Sequence, residues 1–313
     1  MKKINKKLVV ILGPTASGKS DLAVKIAKKL ALSKIEGFNG FEIISADSRQ
    51  VYKEMDIGTG KITKKEMQGI PHRLLDVASP KRRFTVFQYQ KLAIEAINKI
   101  FRKGKIPILC GGTGFYIQAV VNGISIPEVK PDWKLRKKLD KKSPEELYQI
   151  LKKLDPKRAK TIEPKNKRRL IRALEIVIKT KKPVPILKKQ PLPCPILIIG
   201  IKKSFKALKK LIKKRLLKRF RQGMVLEVKK LRKSGVSWKR LEEFGLEYRY
   251  IARYLQGKLN YQEMVRKLQK ESEKFAKRQM IWFKRDTRIL WTPATRHPYR
   301  YAEKLARNFL ENN

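Results

Sequence analysis

Residues Gly13-Pro14-Thr15-Ala16-Ser17-Gly18-Lys19-Ser20 spell a complete G-x-x-x-x-G-K-[ST] loop, set between a short apolar run at 8–12 and a helical pattern at 21–32. A strand that turns through such a loop into a helix aims successive backbone amides inward at one point, which makes a phosphate grip. Lys19 adds a mobile positive charge, and the Ser20 hydroxyl is placed to ligate a magnesium ion. The loop therefore commits the chain to gripping phosphates. It does not say whose phosphates they are.

The residues around the loop set its frame. Residues 9–12, 42–45 and 106–110 read as buried parallel strands, and 87–102 reads as the helix before the third of them. This alternation predicts an α/β fold, a P-loop NTPase-like doubly wound parallel sheet. The pattern changes near Pro127 to Pro131. Residues 131–190 carry 21 Lys and Arg against 7 Asp and Glu, with helical periodicity and no strand. Pro183, Pro185, Pro191, Pro193 and Pro195 then form a stiff return leg, and 196–201 is once more a buried strand. The expected organisation is a core of residues 1–128 and 194–313 with C-terminal helices, interrupted at 129–193 by an inserted basic helical domain. Beyond it, Leu208, Ile212, Leu216, Phe220, Met224 and Val228 recur every fourth residue and predict one long helix, and 260–285 predicts another, opened by Asn260.

Charge narrows the partner. The 313 residues include 78 Lys and Arg against 27 Asp and Glu, a formal net charge of +51. Such an excess repels itself unless a polyanion or salt screens it, and nucleic acid is the natural polyanion. A lysine-rich genome would colour every surface in the same way, so arginine placement carries more weight than lysine count. Cys110 and Cys194 show neither C-x-x-C nor Cys/His spacing, which argues against a disulfide framework and a zinc site and suits a reducing cytoplasm. The basic start is followed by too short an apolar run for an export signal, and no run reaches the length of a membrane span. A cytoplasmic protein with no membrane association is expected.

The chemistry-bearing residues depart from an ordinary ATPase. Such an enzyme closes a buried strand with an acidic residue that holds magnesium through water. Here Pro107-Ile108-Leu109-Cys110 runs into Gly111-Gly112-Thr113-Gly114, a hydroxyl-bearing turn without an acid. Another strand instead delivers Asp47 at its carboxyl end, where open α/β sheets place ligands. Asp47 is a candidate magnesium ligand or general base, with helix capping as its structural alternative.

The ordered set Gly13 to Ser20, Asp47-Ser48-Arg49-Gln50-Val51-Tyr52, Asp56-Ile57-Gly58-Thr59-Gly60-Lys61, Ile70-Pro71-His72-Arg73-Leu74-Leu75-Asp76, Gly111 to Tyr116 and Arg278-Gln279-Met280-Ile281-Trp282-Phe283 resembles the tRNA dimethylallyltransferases. The resemblance spans most of the chain. It implies transfer of a dimethylallyl group from dimethylallyl diphosphate to N6 of the adenosine just 3′ of the anticodon, in tRNAs that read codons beginning with U, with Mg2+ as companion. It implies Asp47 as the base, Thr113 beside the reacting centre and Arg215 on the departing diphosphate. Residues Gly13, Pro14, Thr15, Ala16, Ser17, Gly18, Lys19 and Ser20 would hold that diphosphate. Asp47, Ser48, Arg49, Gln50, Thr113, Arg136, Arg168, Arg169, Leu170, Ile171 and Arg172 would meet the anticodon stem-loop of the tRNA. The enzyme is expected to be a monomer. Gly245-Leu246-Glu247-Tyr248-Arg249 departs from the Gly-Tyr pair common in that family, and His72 reads as structural. A small-molecule kinase and a non-catalytic RNA-binding P-loop protein are the competing readings.

Overall fold

The structure, a computed structural model, describes residues 6–33, 37–186, 188–293 and 298–312. The basic start at 1–5 and Leu187 in the return leg lie outside the described residues. The chain forms two compact units, one made of the residues up to Asn122 together with those from Pro191, the other of Gly123–Gln190.

The larger unit is built on six parallel strands, β1 (Leu8–Leu12), β2 (Phe41–Ala46), β3 (His72–Arg73), β4 (Ile106–Gly111), β5 (Ile196–Gly200) and β6 (Leu290–Trp291), in the spatial order β3-β2-β4-β1-β5-β6. The two-residue edge strands β3 and β6 are too short to be announced by an alternating or extended apolar run in the sequence. Helices are numbered along the chain. In this unit they are α1 (Lys19–Leu32), α2 (Lys64–Met67), α3 (Val86–Arg102), α4 (Gly114–Val121), α9 (Phe205–Arg221), α10 (Met224–Lys233), α11 (Trp238–Phe244), α12 (Leu246–Leu255), α13 (Tyr261–Phe283) and α14 (Pro298–Glu311).

Successive side chains of a strand point to opposite faces, and β1 uses both. Leu8, Val10 and Leu12 join the core beneath α3, α4 and α10 to α13, whereas Val9 and Ile11 join the core beneath α1 and α14. All five are at most 2% exposed, so each side chain contributes about 1.5–3 kcal/mol of burial. A strand buried on both faces accounts for the unbroken apolar run that precedes the loop.

The apolar stripe from Leu208 to Val228 does not run along one helix. Gly223 takes φ 93° and ends the first segment, so that α9 stops at Arg221 and α10 starts at Met224. A left-handed residue between helices is the usual role of glycine, and the spacing continues across it because Leu216 and Phe220 of α9 and Met224 and Val228 of α10 face one core, while Leu208 and Ile212 pack with Ala276 in a separate cluster. The helix opened by Asn260 does form as α13, with Asn260 and Glu263 making a reciprocal capping box.

The smaller unit holds α5 (Trp133–Leu139), α6 (Pro144–Leu154), α7 (Pro156–Thr161) and α8 (Lys167–Thr180) around Leu139, Leu147, Leu151, Leu170 and Leu174. Its limits fall at 122/123 and 190/191 rather than 128/129 and 193/194. The entering and leaving segments pair with each other, Gln190 N to Gly123 O at 3.0 Å and Ser125 N to Lys188 O at 2.9 Å, which carries both segments into the insertion. Among the described residues no helix is long and apolar enough to cross a membrane.

Candidate active site

Strand register gathers the candidate residues at one edge of the sheet. Gly111 of β4 lies opposite Ala46 of β2 on one side and Leu12 of β1 on the other. The next residues along the three strands are Asp47, Gly13 and Gly112, so the acid, the loop and the hydroxyl-bearing turn leave the sheet side by side. A Cβ on Gly111 would come within 2.1 Å of the Ala46 carbonyl oxygen, so this close approach requires glycine.

The loop is wound for amide presentation. Ala16 at φ 62° and Gly18 at φ 89° are both left-handed, and the strain of a non-glycine residue there is characteristic of ligand clamps. Gly13 and Pro14 are buried and Ser20 is half-buried in the first turn of α1. Ser17 is 4% exposed and its Oγ has no hydrogen-bond partner. Lys19 Nζ makes only a 3.4 Å contact with the Pro14 carbonyl. Thr15 Oγ1 accepts from Arg215 Nη2, which reaches the loop from α9.

Asp47 Oδ1 accepts from the amides of Arg49 at 2.8 Å and Gln50 at 3.4 Å. No helix follows Asp47, so these bonds close a turn and do not cap a helix; they use one oxygen and fix the direction of the other. Ser48 N donates to Thr113 Oγ1 at 3.0 Å, and Thr113 N donates to Ala46 O at 3.1 Å. The acid and the hydroxyl are thus held by reciprocal bonds between the ends of β2 and β4. Gln50 is held by Ser45 and Gly60, and Arg49 donates through Nε to Phe244 O at 2.7 Å.

Two cations, Lys19 and Arg215, meet at the loop, with Arg219 close enough to act on both. Burial first, then the charges of Arg215 and Arg219, hold the Lys19 ammonium below its ordinary value, with Asp47 acting in the opposite sense. Burial first, then Arg219, pushes Arg215 down to about 9. Cations held below their ordinary values without a carboxylate partner of their own form a site short of an anion.

A family model described as IPP transferase matches residues 50–286. The chain is 40% identical over 292 residues to the tRNA dimethylallyltransferase of Acetivibrio thermocellus, covering 91% of this chain and 90% of the relative. It is 41% identical over 295 residues to that of Pelotomaculum thermopropionicum, covering 92% and 91%. The chain belongs to the IPP transferase family.

Solved structures agree with that membership. The tRNA isopentenylpyrophosphate transferase of Bacillus halodurans superposes with a TM-score of 0.71 at 34% identity, over 98% of this chain and 96% of that one. A eukaryotic dimethylallyltransferase described as acting on tRNA gives 0.78 at 25% identity, over 99% and 80%. This IPP transferase is therefore an enzyme of the prenyl-transferring class on the P-loop NTPase-like fold.

Several motifs of the IPP transferase acquire structural roles that their spelling does not reveal. Glu227 on α10 accepts from the amides of Asp56, Ile57 and Gly58 at 2.8, 2.6 and 3.0 Å and from Tyr248 Oη at 2.7 Å, so the Asp56 to Lys61 segment is a turn closed on a carboxylate. Arg219, 6% exposed, donates to Gly58 O and to Glu247, both at 3.1 Å. The departure at Glu247 is thus an ion pair for Arg219. His72 Nδ1 bonds the Ile70 carbonyl at 2.8 Å on the edge strand, a structural place. Glu227 and Arg219 carry a sequence signal only in hindsight, as charges on the buried sides of α10 and α9.

The inserted unit sorts its predicted RNA-contacting residues into two groups. Glu175 is fully buried and takes Arg136 through two bonds of 2.7 and 2.6 Å together with Arg172 at 2.5 Å. Arg136 and Arg172 therefore serve an internal ion cluster, and Leu170 and Ile171 lie in the core of the unit. Arg168 and Arg169 are exposed, the latter 3.6 Å from Glu163.

No group of three or more His, Cys, Asp or Glu side chains suited to a metal occurs among the described residues. That donor set still fits magnesium, which favours one or two protein oxygens completed by phosphate oxygens and water. Ser20 would supply the protein oxygen.

Proposed function

We propose that this enzyme transfers the dimethylallyl group of dimethylallyl diphosphate to N6 of the adenosine immediately 3′ of the anticodon in tRNA. The observation that carries this reading is the placement of Asp47 and Thr113, bonded through Ser48, beside a phosphate loop whose cations Lys19 and Arg215 have no ion-paired acid among the described residues. A two-phosphate donor with no nucleoside suits a P-loop flanked by no acid on the neighbouring strand.

In the reaction N6 forms a bond to the allylic carbon as the carbon–oxygen bond to diphosphate breaks. The N6 proton passes to the open oxygen of Asp47, whose other oxygen stays fixed by the Arg49 and Gln50 amides. Loop amides, Lys19 and Arg215 take up the charge that accumulates on the leaving diphosphate. Magnesium, when bound at Ser20, neutralises part of that same charge. Thr113 orients the attacking amine, so that much of the acceleration comes from alignment.

An exocyclic amine in a stacked loop cannot reach a buried carbon, so the adenosine is extruded, at a cost of about a few kcal/mol. In the inserted unit Arg168 and Arg169 are exposed, as are several lysines, and are open to RNA phosphates. Two free cysteines, Cys110 and Cys194, suit a cytoplasmic enzyme, which we read as acting as a monomer.

The test is nucleoside analysis of unmodified tRNA after incubation with the protein, dimethylallyl diphosphate and magnesium, without ATP. N6-dimethylallyladenosine is the expected product. Its absence at stoichiometric enzyme, or a requirement for ATP, overturns the reading.

A further inference from the structure

Gln279 sits about one turn from the C-terminal end of α13, 7% exposed, where its side chain amide meets two other segments at once. Its Oε1 accepts from Thr15 N at 2.7 Å, and its Nε2 donates to the Gly112 carbonyl at 2.8 Å. One amide therefore ties the phosphate loop to the turn that carries Thr113. A Cβ on Gly112 would stand 2.5 Å from that Nε2, so the turn is shaped to admit it.

The bond to Thr15 has two effects on the loop. It commits the Thr15 amide to Gln279, which leaves the later amides of the loop to the diphosphate. It also fixes the residue whose hydroxyl receives Arg215. The bond to Gly112 acts on the residue directly before Thr113, which in turn holds Ser48. Loop, leaving-group arginine and acceptor-side hydroxyl are thus registered through a single side chain that has both a donor and an acceptor.

We propose that Gln279 is a positioning residue for the transfer, setting the distance between the diphosphate cradle and the Thr113 and Asp47 edge. This rests on the dimethylallyl-transfer reading above. The requirement is specific: an acceptor toward Thr15 and a donor toward Gly112. A glutamine satisfies it at every pH. A carboxyl group of the same shape satisfies it only when protonated, because a carboxylate presents a lone pair to the Gly112 carbonyl.

The experiment compares Gln279→Glu and Gln279→Met with the unaltered enzyme from pH 5.5 to 8.5, reading kcat and KM for both substrates, with thermal unfolding alongside. The unaltered enzyme must first give N6-dimethylallyladenosine, and failure there removes the transfer reading, not the Gln279 assignment alone. Given that activity, kcat of Q279E relative to the unaltered enzyme should fall about tenfold or more at pH 8, since a one-ångström misalignment alone can cost ~10²-fold, and recover as pH falls. Q279M should lose kcat to a similar degree at all pH values, with KM for tRNA unchanged. A Q279E ratio that is flat with pH, or a Q279M enzyme with unaltered kcat, overturns the assignment. If Q279E does not fold, a Q279M enzyme that unfolds like the unaltered one yet shows the kcat loss supports it, and one whose only change is KM for tRNA overturns it.

Discussion

Arg215 donates through Nη2 to Thr15 Oγ1, so the guanidinium that reaches the phosphate loop from α9 rests on a hydroxyl and not on a carboxylate. Its charge is left for the ligand. Replacing Arg215 by Gln should lower the transfer rate by about 10²–10³-fold, the usual loss on removing one donor aimed at developing negative charge. Because Thr15 keeps its bond to Gln279, the loop should stay folded. Single-turnover rates with preloaded diphosphate separate this loss from weaker binding, and an unchanged single-turnover rate contradicts the assignment.

The depressed values of Lys19 and Arg215 give the pH dependence of donor binding a definite sign. Both groups lose their protons at lower pH in the empty enzyme than in water, Arg215 at about 9, with burial the largest cause for each. A bound diphosphate raises both values again, so binding takes up protons between the empty and loaded values. Affinity for dimethylallyl diphosphate should therefore fall as pH rises through about 9. Calorimetry in buffers of different ionisation enthalpy should record proton uptake at pH 8.5, and proton release there would show the opposite linkage.

Asp47→Asn keeps an oxygen for the Arg49 and Gln50 amides while removing the basic oxygen. It should bind both substrates as before and turn over about 10²–10⁴-fold more slowly, the range expected for a general base. Equilibrium binding of tRNA and of the diphosphate, measured next to kcat, checks both halves of the statement. A variant that loses binding alone would show Asp47 to be a contact and not a base.

Legibility followed how local each signal was. The phosphate loop, the strands on either side of it and Asp47 are spelled by contiguous residues, and the sheet register then brings Gly13, Asp47 and Gly112 to adjacent positions. Gln279 was visible only as one letter of a motif, because its function lies in contacts 264 and 167 residues away along the chain. Arg136 and Arg172 have a partner that the sequence did not disclose. Basic residues in a basic segment read as phosphate contacts, yet a single buried acid, Glu175, claims both. The break at Gly223 was hidden because the end of α9 and the start of α10 face one core and keep the spacing of a single helix.

Glu227 anchors the Asp56 to Gly58 amides and the Tyr248 hydroxyl, four donors on one buried carboxylate. Burial first, then Glu227, pushes the Tyr248 phenol well above its ordinary value, so Tyr248 remains a donor at any working pH. Truncation to Ala orphans all four donors, and with bonds to a charged group worth about 1.5–3 kcal/mol each and partial rescue by water, a net loss of about 3–5 kcal/mol is expected. Urea unfolding of Glu227→Ala measures it. Glu227→Gln, which keeps an acceptor oxygen, should lose less.

Glu175 gives the inserted unit an acid sensitivity with a calculable sign. Burial alone would raise its carboxyl, but Arg136, the Asp132 amide and Arg172 outweigh it and hold the group below the usual carboxylate value. A group lowered on folding adds stability that is complete above its unfolded value and disappears as pH falls through the folded one. Glu175→Gln should therefore destabilise the unit at pH 7, and its deficit against the unaltered protein should shrink as pH falls below about 4. Arg136→Ala takes two of the bonds from the buried acid and leaves Arg172 and the Asp132 amide to hold it, so it should cost about 1.5–3 kcal/mol, the worth of a hydrogen bond to a charged group, and loosen the inserted unit. Arg168→Ala and Arg169→Ala, by contrast, should leave stability unchanged while weakening tRNA binding and flattening its dependence on salt, as lost phosphate contacts do. Limited proteolysis within Gly123–Gln190, run beside salt titrations of tRNA affinity, distinguishes the two classes; Arg136→Ala with a stable fold but a flattened salt slope would return that arginine to the RNA surface.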